Sequence, residues 1–333
     1  MDILTPKNKT RIVLDATLLT AIMNCGRYTN LRFNHNLTPA GGKGNSLEAG
    51  SIVHTVFEFY YKSIIQGLNR PLAIGNGLAA GELYIKGCEY CTGFVADAIG
   101  IAETIQEGGS PLLKPRCGHT PNQFPGVVNT PAESEGNLVG YNYVLKTCEE
   151  YFDYWKNDFW TPLEVEKVKG RVLYEDDNII ILWKAKFDLI SDTNNGIFPI
   201  DHKTMKMRKD TVSLNNQFIG QCILQETRTM FVNKIGFQSS LPAKDKFLRP
   251  SVSYTAERLL EWQNEILPTW AYRYMSYAES DNWEPNFSGN ACETKYGKCQ
   301  FYDVCEANPS MREELLQLNF VKTEVWNPVN EDV

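Results

Sequence analysis

Three strand-like stretches follow one another through the middle of the chain, separated by two short turn signals. LEVEKVKGRVLYE (163–175), NIIILWKAKFDLIS (178–191) and GIFPIDHKT (196–204) are rich in β-branched and aromatic residues. The breaks EDDN and DTNNG supply the Asp, Asn and Gly that favour tight reversals. The reading is an antiparallel meander, and a sheet so apolar needs cover.

Helical patterns on both sides of the meander can supply it. Asp15 can cap a helix to about Asn24, with Leu18, Leu19, Ile22 and Met23 as its apolar face. The glycine-rich stretch Gly41–Gly44 leads to Ser46, which caps a helix to about Ile65. A further helical pattern covers 77–105, an irregular Gly/Pro/Ser/Thr-rich excursion covers 107–136, and an aromatic helix covers 138–157. Beyond the meander, Ser213 caps a helix to about Thr229, MFVNKIGF and LRPSVSY read as strands, and Glu257 to Tyr277 is helical. The expected fold is mixed α/β, a single domain over 1–333 with one central mixed sheet flanked by helices and a helical region over 46–135.

Composition narrows the function classes. The 333 residues are 43% hydrophobic and 22% charged, which suits a folded chain. No apolar run reaches bilayer length and the N-terminus lacks a signal-peptide core, so a cytoplasmic location is expected. A net charge of −7 argues against a protein that coats nucleic acid nonspecifically. It leaves room for a local basic groove. Nine cysteines in a cytoplasmic chain point to metal binding rather than disulfides.

The chemistry-bearing feature is KAKFDLIS followed by FPIDHKT. Asp188 lies late in the second strand, while Asp201 and Lys203 lie two apart in the third and so share a face. A hairpin brings Asp188 beside them. Two carboxylates and an ammonium at one spot suit phosphodiester cleavage. Hard oxygen ligands hold Mg²⁺ or Mn²⁺, which polarises the phosphate and lowers the pKa of bound water. The lysine can orient that water, take its proton if its own pKa is depressed, or neutralise charge on the phosphate.

A third ligand is available from the earlier helix. In GSIVHTVFEFYY, Gly50, His54 and Glu58 are four apart on one face. Gly50 permits close backbone approach, His54 can ligate metal and Glu58 can hold the imidazole. In NNQFIGQ, Gln217 and Gln221 stand one turn apart, suited to contacting a phosphate backbone or the lysine. Each piece alone has a plainer reading: a solvated Asp–Lys pair, a core histidine, a surface glutamate. Their order and setting favour the site.

In that order the motifs resemble the RecB-type branch of the PD-(D/E)XK nuclease superfamily, over most of the chain. The resemblance implies a restriction-endonuclease-like core over 160–255. It makes His54, Asp188 and Asp201 metal ligands with the His202 carbonyl, and Lys203 the catalytic lysine. The chain departs from the pattern at Gln221, where tyrosine is usual, and around Asp188, preceded by Phe187 and, four residues back, Lys184. Glu166 in LEVEKV is a further candidate, with an exposed strand glutamate as the plainer reading.

Four cysteines lie at the two ends: Cys25 after the first helix, and Cys292, Cys299 and Cys305 in CETKYGKCQFYDVC. Four thiolates complete an iron–sulfur cubane, and equally suit tetrahedral zinc. This layout is similar to that of iron-staple nucleases in the same branch, implying a 4Fe-4S clamp that joins 15–35 to 286–310. Cys88, Cys91, Cys117 and His119 form a weaker second zinc candidate, because Cys88 and Cys91 fall inside one helical pattern. Cys148 and Cys222 read as small buried hydrophobes.

Lys167, Lys169 and Arg171, with Lys206, Arg208 and Lys209, can track a phosphate backbone, or belong to a solvated surface of mixed charge. The expected partner is DNA, as single strands or duplex ends, with exonuclease action favoured through the resemblance. A structure-specific endonuclease and a noncatalytic DNA-binding scaffold are the alternatives. No Walker-type loop is present, so a helicase or recombination protein would be a separate partner.

Overall fold

The structure is a computed structural model describing residues 9–40, 45–85, 141–158, 160–205, 214–294 and 297–323. Its first element, β1 (Thr10–Leu14), is a strand that the polar N-terminal sequence does not announce. Asp15 then caps α1 (Ala16–Asn24), accepting from the Leu18 amide at 2.7 Å. A short helix α2 (Gly26–Thr29) and a three-residue strand β2 (Leu37–Pro39) follow.

The long helix α3 runs from Asn45 to Ile65, so Ser46 falls inside it rather than capping it. Helix α4 (Arg70–Ile85) starts before the expected residue 77, because Asn69 caps it by accepting from the Leu72 amide. Gly77 and Gly81 let it lie tight against α3: a Cβ on Gly77 would stand 2.6 Å from the Val56 carbonyl oxygen. The expected continuation to 105, the irregular stretch 107–136 and the Gly41–Gly44 run lie outside the described residues. Helix α5 (Tyr141–Tyr154) completes this helical group.

The meander forms as the turn signals indicate, from β3 (Thr161–Glu175), β4 (Ile179–Asp192) and β5 (Ile197–Met205). Both junctions are antiparallel. Helix α6 (Asn216–Leu224) is shorter than expected and is capped by Asn215; Ser213 lies outside the described residues. Next come β6 (Thr229–Gly236), β7 (Phe247–Leu248) and β8 (Ser251–Ser253); the expected strand LRPSVSY is divided at Arg249–Pro250. Helices α7 (Ala256–Glu261) and α8 (Leu267–Ser280) are joined by a π turn over Trp262–Ile266.

Among the described residues, one mixed sheet of seven strands has the order β1–β4–β5–β6–β7, with β3 also on β4 and β8 on β6. β1 runs parallel to β4 and β5 parallel to β6. Helices cover both faces. On one, Leu18, Leu19 and Ile22 of α1, Phe218 and Ile219 of α6, and Leu267 and Ala271 of α8 pack on Ile181, Trp183 and Val232. On the other, Val53 and Phe57 of α3, with Tyr151 and Phe152 of α5, pack on Leu189, Ile200 and Ile235. A strand covered on both sides reads as a near-continuous apolar run, which explains IIILW in β4.

The register holds one feature that positions the site. β3 pairs with β4 along one edge from Ile180 to Asp192. The other edge is shared: β1 takes Ile179–Trp183 and β5 takes Leu189–Asp192. Residues 184–188 lie between these two pairings, where β1 ends and β5 turns away to pair with β6. Asp188 is the last residue of that gap.

Candidate metal centre

On β5, Asp201 is wholly buried and Lys203 is half-buried. Lys203 Nζ lies 2.9 Å from Asp201 Oδ2 and donates to Gln217 Oε1 at 3.1 Å. Gln217 Nε2 in turn donates to Asp201 Oδ1 at 2.6 Å. The three side chains close a ring. It forms because a two-residue step on a strand returns to one face, and because the Asn215 cap aims the first turn of α6 at it: the Gln217 amide donates to Asn215 Oδ1 at 2.8 Å. Gln221, one turn on, is buried and donates to the Lys186 carbonyl at 3.2 Å, so it braces α6 on β4 and cannot reach a phosphate.

Asp188 stands at the fork between β4 and β5. Its Oδ2 accepts from the backbone N–H of His202 at 2.8 Å, and its Oδ1 lies 3.6 Å from His54 Nδ1. Burial, with the Asp201 charge next in importance, raises the Asp188 carboxyl to about 7 against the opposing charge of Lys203. Burial also lowers His54, outweighing the charges of Asp201 and Glu166, so its imidazole is held neutral as a metal ligand must be. Lys203 moves the other way: burial opposes its charge, but Asp201 and Asp188 outweigh that and raise it. Of the three lysine roles open from sequence, a proton-accepting amine suits this environment least; an ammonium that orients and neutralises suits it best.

Two neighbours of His54 differ from expectation. Glu58 accepts from Lys62 Nζ at 2.5 Å rather than holding the imidazole. Gly50 faces β5 without a tight backbone approach: a Cβ there would meet Thr204 Oγ1 at 3.4 Å, an ordinary contact. Glu166 differs most from its plainer reading. It is mostly buried rather than exposed, is ion-paired with Lys186, and has a left-handed backbone with φ of 52° inside a strand. Sequence offered no sign of that conformation.

His202 turns its ring away from the carboxylates. The ring is buried, stacks on Tyr61 at 5.7 Å and meets Phe57 edge-on at 4.8 Å. Its Nδ1 pairs with Asn233 Nδ2 at 2.9 Å, and Asn233 Oδ1 accepts from Tyr151. Because the amide nitrogen can only donate, His202 Nδ1 accepts and the proton sits on Nε2. Tyr151 is also bonded by Arg249, which pairs with Asp158 and lies over Trp155 and Trp160. No simple sequence pattern links these distant residues.

Among the described residues, one group of three or more His, Cys, Asp or Glu places its ligand atoms within 4.8 Å of one another: His54, Glu166 and Asp188. Asp201 stands beside them, its buried Oδ2 ion-paired with Lys203. One imidazole and several carboxylates, one of them kept from ionising freely, are a donor set that a hard divalent cation fits.

Away from this centre, Cys25 and the tail cysteines come together. The Asn286 amide donates to Cys25 Sγ at 3.3 Å, Cys292 Sγ donates to the Asn286 carbonyl at 3.3 Å, and Arg27 donates to Cys305 Sγ at 3.7 Å. Burial first, with the neighbouring Cys305, Cys25 and Cys292, raises Cys299 against the lowering hydrogen bond of the Phe301 backbone. All four are free thiols, as are the wholly buried Cys148 and Cys222. Cys88, Cys91, Cys117 and His119 lie outside the described residues.

The basic residues divide. Lys167 is exposed. Lys169 is engaged by Glu164 and Gln225, and Arg171 by Glu226 and the Ile223 carbonyl, where both brace the end of α6. Lys206, Arg208 and Lys209 lie outside the described residues. Among the described residues, no helix is long and apolar enough to cross a membrane. No protein-family model matches the chain, and no curated protein matches it.

Proposed function

We propose that this chain is a metal-dependent deoxyribonuclease of the PD-(D/E)XK type, acting on DNA ends as an exonuclease. The observation that carries this reading is the Asp201–Gln217–Lys203 ring standing beside Asp188 where β4 and β5 part. His54, Asp188 and Asp201, with the His202 carbonyl, would hold Mg²⁺ or Mn²⁺. The bound cation supplies positive charge to the scissile phosphate and acidity to a water molecule.

The chain's own residues divide the remaining work. The Lys203 ammonium stands ready to hold an attacking water or to neutralise charge on the phosphate. Gln217 fixes both Lys203 and Asp201, so the two keep their spacing when substrate arrives. Through its backbone N–H, His202 fixes Asp188, and its buried ring anchors that stretch of β5 to α3.

The four terminal cysteines would hold a 4Fe-4S cluster as a clamp between the chain's ends. Zinc is the alternative, since four thiolates suit a tetrahedral zinc ion as well.

End-labelled linear DNA and closed circular DNA, incubated with Mg²⁺ or Mn²⁺, test the proposal. Loss of linear DNA with circles intact is expected. Cut circles would make the protein an endonuclease, and survival of both would leave a DNA-binding scaffold.

A further inference from the structure

We propose that Glu166 is a further ligand of the same cation, alongside His54 and Asp188, and that Lys186 is the counter-charge this cation displaces. The inference rests on the metal-dependent reading above and goes beyond its ligand set of His54, Asp188, Asp201 and the His202 carbonyl.

The three residues come from three elements, α3, β3 and β4, and present one ligand atom each within 4.8 Å of the others. Ligands of an octahedral cation at about 2.1 Å stand about 3 Å apart when adjacent and about 4 Å apart when opposite. Small side-chain rotations close that difference.

The path of β3 delivers Glu166 to this point. Val165 pairs with Leu189 and Lys167 with Phe187, so Glu166 falls opposite Asp188 in register. Its φ of 52° turns it out of the regular pleat. A non-glycine residue in that region is strained and persists where the surroundings hold it.

Charge supplies a second argument. Glu166 and Asp188 supply two carboxylates beside one imidazole, the donor set that balances a divalent ion. In its place Lys186 pairs with Glu166; the lysine side chain is 48% exposed while the Glu166 side chain is 14% exposed. The mobile partner is the lysine, which can swing into solvent while the carboxylate stays. Asp201, wholly buried, is already paired with Lys203 at 2.9 Å, so Lys186 is the counter-charge left to Glu166.

Mn²⁺ binding to the full chain, measured by calorimetry and by the free Mn²⁺ electron-spin signal, tests the assignment without recourse to activity. The variants are Glu166→Gln, Lys186→Met and Asp188→Asn, each checked for native circular dichroism. Glu166→Gln is expected to weaken Mn²⁺ about tenfold or more, and Lys186→Met to tighten it severalfold. Wild-type affinity in Glu166→Gln, with binding lost in Asp188→Asn, overturns the role of Glu166 and leaves the metal-dependent reading standing. Wild-type behaviour in all three overturns both. Should Glu166→Gln fail to fold, Lys186→Met decides: tighter binding supports the proposal, and unchanged or weaker binding overturns it.

Discussion

Asp188 on β4 accepts a 2.8 Å hydrogen bond from the backbone N–H of His202 on β5, one and two residues respectively past the last registered pair of those strands, Leu189–Ile200. A side chain thus replaces the ladder bond that the parting strands give up. The carboxylate is thereby oriented, and its other oxygen faces His54. This tie between strands places Asp188 beside His54 in the proposed metal centre.

Removing Gln217 tests how the ring is held. Gln217→Ala leaves Asp201 Oδ1 buried without its donor, a loss of about 1–3 kcal/mol. Urea unfolding should show that loss, and DNA degradation should fall more steeply than stability alone explains, because Lys203 loses its second anchor.

The Asp188 carboxyl sets a pH dependence. Its folded value, about 7, lies above the ordinary carboxylate value, so the folded metal-free chain binds the extra proton. This group's contribution is fully present below the unfolded value near 4 and is lost as pH rises through about 7. Asp188→Asn should therefore stabilise the metal-free chain at pH 8, on the order of 2 kcal/mol, with little effect at pH 4. Cation binding must displace the same proton, so Mn²⁺ affinity should rise from pH 5 to 7 and level off above. Thermal melts across pH and calorimetry in buffers of different ionisation heat read both effects.

Gly220 places α6 against β4. A Cβ there would stand 2.3 Å from Trp183 Nε1 and 2.5 Å from Cε2, inside a well-packed layer. Gly220→Ala should cost about 1–3 kcal/mol in urea unfolding and shift the Gln217 turn. DNA degradation should fall although no group of the site is changed.

The cysteine clamp predicts iron and acid-labile sulfide in anaerobically purified protein, with visible charge-transfer absorbance. Cys25→Ser should lose both and lower the melting temperature, because Cys25 ties the first helix to the tail. Stoichiometric zinc without colour would replace the cluster with a zinc site.

Much of this architecture was legible in local patterns. The meander stood out because β-branched runs were bounded by Asp, Asn and Gly, and alternation alone put Asp201 and Lys203 together. Other parts depended on distant residues. β1, TRIVL, is too short a run to stand out by itself; it is held by pairing with β4 and packing beside α1. Glu166 is a candidate in the sequence, with an exposed strand glutamate as its plainer reading; its buried setting is not legible because a left-handed residue in a strand has no local signature unless it is glycine. Glu58 drew attention by helical spacing, yet Lys62 at the same spacing on its other side engages it. Gln221 sat in a motif but faces the interior, where its amide holds the Lys186 carbonyl.

The most direct test compares wild type with Asp201→Asn on end-labelled linear DNA, with Mn²⁺, with Mg²⁺ and with EDTA. The account predicts cation-dependent degradation by wild type, none in EDTA, and a loss of at least about a thousandfold in Asp201→Asn at unchanged fold. Degradation that survives either the substitution or EDTA would contradict it, as would a folded, cation-loaded wild type that leaves the DNA intact.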